Sequence, residues 1–206
     1  MVNHWSFKGG SFDDLVGGAH MRNESGLVLF ASDHRGNQNT ALSLNGGFAS
    51  VPPGVYFSSA FTISVWVKPR QIRKWSRIID FGDGPNKNNV LLGLTEGESR
   101  KPLLHVYVEN QYLVNVSSST QLVEDQWQLL AATFDCSCAN IYINGQRTGS
   151  ANANQLNTAP RAVIRQSNYI GRSNWHHDQF SHSIISDLRF FNRCLSSEEI
   201  NILMTI

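Results

Sequence analysis

Eight consecutive residues, Gly171-Arg172-Ser173-Asn174-Trp175-His176-His177-Asp178, gather an aromatic ring, a guanidinium, an amide, two imidazoles and a carboxylate. That mixture suits a saccharide, whose C–H faces pack on a flat ring while its hydroxyls need amide, carboxylate or guanidinium partners. Trp175 is read as the platform, with Arg172, Asn174, His176 and Asp178 as the hydrogen-bonding groups. Tyr169-Ile170 just before the segment supplies a short strand on which a binding loop can be held. Trp75 and Tyr107 join the set if the fold brings their segments alongside. Tyr107 and Tyr112 flank Glu109-Asn110-Gln111, a hairpin turn, and are expected to point outward. Residues 83–89 form another polar loop.

Other chemistry is sparser. Lys68, Arg70, Arg73, Lys74 and Arg77 surround Trp75 without an intervening acid, a pattern suited to a sulfated glycan or to a solvated connection. The chain as a whole carries a formal charge of only +1, so it has no field for nucleic acid, and RNA binding needs a broader basic face with several stacked rings. Cys136, Cys138 and Cys194 are an odd number; Cys-x-Cys is too short for an unstrained bridge, and no second ligand pair stands at metal spacing. His176-His177 is poor spacing for one ion. Nucleophile elbows are absent, and no Ser or Cys has an evident base. Asn23-Glu-Ser25 and Asn115-Val-Ser117 match the glycosylation tripeptide.

The elements that must position these residues are strands. The length of 206 residues fits one domain over 1–206, large enough for its own core. Apolar residues make up 41% and mean hydropathy is -0.26, so the chain is globular; charged residues are only 16%, with Asn, Ser, Thr and Gln filling the polar surface as in many extracellular β proteins. No apolar run approaches the ~20 residues that span a bilayer, so no membrane insertion is expected. Residues 1–20 lack the apolar core of a secretory leader, so the chain reads as cytosolic or as a mature domain. Short apolar runs at 27–30, 41–44, 61–68, 77–81, 90–94, 103–108, 112–116, 127–134, 139–143, 162–170 and 183–191, cut by Gly, Pro and Asn, predict an antiparallel sandwich. Phe61, Ile63, Val65 and Val67 share one face of their strand; Trp66 falls on the other, over a second small core. Asn144-Gly145 predicts a tight hairpin. Leu195-Ser196-Ser-Glu-Glu199-Ile200 is a capping box that starts the one predicted helix.

Phe61-Thr-Ile-Ser-Val-Trp-Val-Lys-Pro69 resembles the first core strand of laminin-G-like, concanavalin-A-like jelly-roll domains. So do Trp127 before Leu129-Leu-Ala-Ala-Thr-Phe-Asp135, then Ile141-Tyr-Ile-Asn-Gly145, Tyr169-Ile-Gly171, and Ile185-Ser-Asp187-Leu-Arg-Phe-Phe-Asn-Arg193 with Leu195-Ser. His4-Trp5-Ser-Phe7 with Asp13-Asp14 resembles the family's opening, so the resemblance runs over about residues 4–203. It implies an all-β, curved two-sheet antiparallel jelly roll with a short C-terminal helix. It also implies a structural Ca2+ between Asp13 or Asp14 and Asp187, although Ser183, Ser186 and Asp187 stand where the family often has Gly-x-Ile-Asp-Asp. Asp80 with Asp83 is a second candidate pair. The paired carboxylates that glycosidases of this fold carry along a strand are missing. The expected function is therefore a non-enzymatic recognition module for a carbohydrate or glycoprotein ligand, extracellular or secreted as a domain of a larger protein. The alternative is an adhesion or structural domain that binds protein or sulfated glycan.

Overall fold

A computed structural model describes residues 1–154 and 159–206. In chain order the strands are β1 (Asn3–Trp5), β2 (Arg22–Asn23), β3 (Leu29–Ala31), β4 (Ala41–Ser43), β5 (Ala49–Val51), β6 (Phe61–Gln71), β7 (Arg77–Gly82) and β8 (Val90–Gly93). They continue as β9 (Leu103–Val108), β10 (Gln111–Ser117), β11 (Gln128–Phe134), β12 (Cys138–Ile143), β13 (Gln146–Asn152), β14 (Ser167–Ile170) and β15 (His182–Phe191). One helix, α1 (Ser197–Ile202), follows. The strands form two antiparallel sheets. One has the order β13-β12-β11-β6-β15-β4-β3 with β1 paired to β15; the other runs β10-β9-β8-β7-β14-β5-β2. This is the jelly-roll sandwich expected from the sequence.

Alternation along the long strands explains the core. Phe61, Ile63, Val65 and Val67 of β6 meet Leu104, Val106 and Val108 of β9 and Val90 and Leu92 of β8 between the sheets. A pleated strand buries every second residue, so these apolar sets leave Thr62, Ser64 and Trp66 on the outer side. Trp66 joins Leu129, Ala131, Tyr142, Leu195, Ile200 and Leu203 in the predicted second core beneath α1. Ser196 caps that helix: its side chain accepts from the Glu199 amide and the Glu199 carboxylate accepts from the Ser196 amide. The Asn144-Gly145 turn closes the β12–β13 hairpin with φ of 49° and 76°, a geometry glycine tolerates. A Cβ on Gly145 would also sit 2.0 Å from the Asn201 side chain, so the same glycine lets the helix dock.

Four strands were not among the apolar runs of the sequence: β1, β2, β5 and β13, the last being the return strand of the predicted Asn144-Gly145 hairpin. The first three are two or three residues long, and β13 is a polar edge strand whose sequence offers no apolar alternation. The first part of the predicted 162–170 strand is only a single bridge between Arg165 and Gly54. Its Arg165 is completely buried, donating to the Asn88 and Phe57 carbonyls.

Candidate functional site

Two β-bulges decide what the seven-stranded sheet shows on its outer face. In β7 the register shifts between Arg77 and Ile79, so Ile78 and Ile79 both bury in the inter-sheet core. Arg77 and Asp80 are thereby placed on the same outer side, 3.8 Å apart between guanidinium and carboxylate. In β10 the shift between Tyr112 and Val114 buries Leu113 and Val114 and turns Tyr112 outward. Between these strands, β9 presents His105 and Tyr107 by simple alternation against Leu104 and Val106.

A loop then folds over this face. Gly171 starts it at φ +83°, and Ser181 N closes it on the Gly171 carbonyl at 2.9 Å. Asn174 latches it down: its backbone N–H donates to Asp80 Oδ2 at 3.0 Å, and its amide donates to Asp80 Oδ1 at 2.9 Å and to the Ser167 carbonyl at 3.1 Å. Ser173 Oγ donates to Asp178 Oδ2 at 2.7 Å and accepts from Trp175 N–H. With the loop so fixed, Trp175 packs half-buried against the cluster of Leu91, Leu103 and Tyr107, as Trp75 also does.

The result is an open cleft of about 240 Å³ walled by Trp75, Tyr107, Tyr112 and Trp175, with Arg77, His105, His177 and Asp178 between them. Tyr107 lies 4.3 Å from Tyr112 and 5.8 Å from Trp175, centroid to centroid. The Arg77 guanidinium lies 5.5 Å from the Trp75 ring and 5.7 Å from the Trp175 ring, and donates to Asp178 Oδ2 at 2.9 Å. Arg77 Nε and Nη1 and His105 Nε2 are buried without a hydrogen-bond partner among the described residues. Such atoms cost about 1–3 kcal/mol each and are uncommon in a native fold, so three around one cleft mark it out from the rest of the surface.

Electrostatics follow from burial. The His105 imidazole is pushed down to about 3 by desolvation, with the Arg77 charge adding to it, so it is neutral at ordinary pH. Burial, together with Tyr112 alongside, pushes the Tyr107 phenol up. Burial also pushes the Asp80 carboxyl up, against the pull of Arg77 and of the Asn174 and Asn89 donors.

Trp175, Asp178, Trp75 and Tyr107 of the expected site therefore converge. Three other residues do not behave as the sequence suggested. Asn174 is buried and its amide is spent on Asp80 and Ser167, so it positions the loop and has no donor left for a ligand. Arg172 points to the other side of the loop, over Phe48 at 4.8 Å and Tyr169 at 4.6 Å. His176 is exposed outside the cleft, and its neighbour His177 lines it instead. Tyr112 lines the cleft, in keeping with its expected outward side chain, and Arg77 and His177 come from the basic stretch and the 171–178 segment without having been placed in this site; His105 was missed. The β9 alternation already set His105 and Tyr107 apart from the core residues, but the bulges that turn Arg77 and Tyr112 to the outer face have no sequence signature here. The basic stretch disperses: Arg70 pairs with Asp125, Lys74 with Glu98, and Arg77 is buried in the cleft.

The carboxylates considered for Ca2+ do not suit it. Both Asp14 oxygens accept N–H groups, from Asn3, His4, Val16 and Ala19, and these donors hold its carboxyl below the usual range despite burial. Asp187 faces the His4 ring and takes a two-pronged contact from Arg189. Asp13 lies 3.3 Å from His20, Asp80 sits under the Asn174 latch, and Asp83 accepts from the Gln166 backbone. Calcium needs six to eight oxygens without competing cations, and among the described residues no three His, Cys, Asp or Glu side chains gather as a metal site. A larger cleft of about 580 Å³ lies on the other sheet, around His34, Ser186 and Arg189, but has no Trp, Tyr or Phe in its lining.

No curated protein matches the sequence. Among solved structures, domain 4 of AbnA, a GH43 extracellular arabinanase from Geobacillus stearothermophilus in complex with arabinotriose, is similar with a TM-score of 0.81 at 22% identity, over 98% of this chain and 97% of that one. The ligand-binding domain of botulinum neurotoxin serotype D in complex with N-acetylneuraminic acid gives 0.72 at 17% identity, over 99% of this chain and 50% of that one. The binding domain of botulinum neurotoxin DC in complex with rat synaptotagmin II gives 0.75 at 18% identity, over 98% and 51%. These likenesses concern the fold. The family model described as the concanavalin A-like lectin/glucanases superfamily matches residues 43–201, from β4 into the C-terminal helix. The chain belongs to that superfamily, as the core-strand motifs implied.

Proposed function

We propose that the protein is a non-catalytic carbohydrate-recognition module whose binding site is the cleft between Trp75, Tyr107, Tyr112 and Trp175. The observation that carries this reading is the convergence of four aromatic side chains on the outer sheet face, around a guanidinium and an imidazole with unmatched hydrogen-bonding atoms. Aromatic rings give a sugar flat contact area at little cost in conformational entropy, and Asp178 and His177 at the rim offer an acceptor and a second ring nitrogen for its hydroxyls. The likeness to a domain bound to arabinotriose and to one bound to N-acetylneuraminic acid supports the ligand class. A recognition role also accounts for the carboxylates: Asp178 and Asp80 both face Arg77, and Asp80 has no exposed surface, so neither serves as a free acid or base. The host of such a module is an extracellular or secreted protein, as is the arabinanase that carries the similar domain.

Calorimetric titration with a panel of neutral oligosaccharides, arabinotriose included, tests the reading. Binding at micromolar to millimolar affinity, without release of reducing ends, is the expected result. Failure of every saccharide to bind, or turnover abolished by changing one acidic residue, overturns it.

A further inference from the structure

The outer face of the seven-stranded sheet continues beyond the Asn174 latch. Asp80 pairs in register with Tyr169, Tyr169 with Ser50, and Ser50 with Arg22, so one transverse row leads from the cleft floor to the far edge. On that far side lies a second cleft of about 400 Å³. Arg172 lines it, with its guanidinium over the Tyr169 and Phe48 rings; these two rings stand nearly perpendicular, 5.7 Å apart. Among the described residues Arg172 makes no ion pair with a carboxylate, whereas Arg77 in the first cleft faces two. The cleft's other charges are Arg22 and Glu24, and Glu24 is engaged by the Ser50 hydroxyl.

We propose that this second cleft binds a carboxylate-bearing sugar, with Arg172 as the group that receives the carboxylate. This rests on the carbohydrate reading above but assigns a different site and a different ligand charge. Contact with two rings restrains the guanidinium, and its planar N–H fork can match two carboxylate oxygens, so little side-chain entropy is lost on binding. The half-buried cation carries no fixed counter-charge, and the Arg22, Arg172 and Glu24 set keeps a net positive sign. Ser50 and Gln166 stand beside it as hydroxyl partners. The latch formed by Ser173 and Asn174 separates the two clefts, so each is addressed by its own variant.

The test is calorimetry with sodium glucuronate, sodium sulfate and arabinotriose against the parent protein, Arg172→Gln, Arg172→Lys and Trp175→Ala. Glucuronate binding is expected to fall about tenfold or more in Arg172→Gln and to stay within about twofold in Trp175→Ala. Lys in place of Arg keeps the charge but loses the fork, so partial recovery is expected. Binding should also weaken as ionic strength rises. Arabinotriose should show the reverse dependence on the two sites. Equal loss of glucuronate binding in Arg172→Gln and Trp175→Ala, no glucuronate binding, or sulfate binding as tight as glucuronate overturns the proposal. Loss of arabinotriose binding alone would count against the first cleft only. Because Arg172 also packs on two rings, NMR of the parent protein is the second measurement. Glucuronate must shift the Tyr169 and Phe48 resonances; shifts confined to Tyr107 and Tyr112 refute the site.

Discussion

Replacing Trp175 with Ala separates the ring's two jobs. The indole is half-buried against Leu91, Leu103 and Tyr107, so its loss costs stability, contrary to a freely exposed platform. Its edge-tilted contact with Tyr107 at 5.8 Å is worth about 0.5–1.5 kcal/mol and its place 5.7 Å from Arg77 about 0.5–1 kcal/mol. Partial burial of the ring adds on the order of 1 kcal/mol. The sum is about 2–3.5 kcal/mol, which in a domain of this size lowers the melting temperature by roughly 4–14 °C. The fold itself survives, because the inter-sheet core shares no residue with this cluster. Ligand affinity should fall by about 1–3 kcal/mol, or roughly 5- to 150-fold, as for an anchor ring at a binding hot spot. Calorimetric titration well below the variant's melting point, with near-ultraviolet circular dichroism to verify packing, reads both numbers. A stability loss of the stated size with affinity unchanged within about twofold would refute the site: the ring would then be packing alone.

Asn174→Ala removes the side-chain amide that seats the loop on Asp80 Oδ1 and the Ser167 carbonyl, leaving a buried carboxylate short of a partner; thermal unfolding should show a loss of about 2–4 kcal/mol, with affinity falling as the loop loosens. The backbone donor survives the substitution, so a loss below about 1 kcal/mol would mean that the side chain is not the latch. His105 has a folded value of about 3, below its unfolded value near 6.5. The unfolded chain therefore binds the proton first, and His105 makes stability decline as pH drops from about 6.5 towards about 3. His105→Gln should flatten that part of the profile in urea midpoints taken between about pH 4 and about pH 7, and an unchanged slope would contradict its burial as a neutral ring. Because the candidate carboxylates are filled by protein donors, melting temperatures in EDTA and in millimolar calcium should agree within about 1 °C. A rise of several degrees with calcium would reveal an ion bound only by the folded state.

Much of the architecture was legible because alternation is a local signal. Phe61-Thr-Ile-Ser-Val-Trp-Val states which side of β6 is buried before any partner is known, and Trp66 on the other parity already pointed to a second small core, which the structure places under α1. The capping box likewise specifies a helix start by itself. The site was legible only in its residue types. Trp175, Asp178, Trp75 and Tyr107 were named from chemistry, but their convergence depends on β9, β8 and β7 lying side by side, which pairing alone decides. Arg77 shows the limit most clearly. Within a run of cations beside Trp75 it reads as solvated, yet a one-residue bulge turns it into the buried centre of the cleft. Arg172 and Asn174 fail for the opposite reason: sequence neighbours in a loop were assumed to face one ligand, while a tight loop sends successive side chains to opposite sides.

That divergence is what gives the sheet face two clefts. A loop lying on a flat sheet would expose its side chains to one solvent space, but Asn174 drives this one down onto Asp80, in the middle of the face. Residues on either side of the latch must then part, Trp175 towards Tyr107 and Arg172 towards Tyr169. The buried Asp80 carboxylate is expensive to keep there, since desolvation opposes its charge, and a Leu at that position would pack with less penalty. Its retention makes sense if it buys loop position: two directed N–H bonds from Asn174 to its oxygens fix both the height and the rotation of the loop, which apolar contact would not. Each cleft consequently carries a guanidinium held by aromatic rings, one neutralised by two carboxylates and the other by none. The difference in counter-charge, and not any difference in the rings, should therefore sort neutral from acidic sugars across the face.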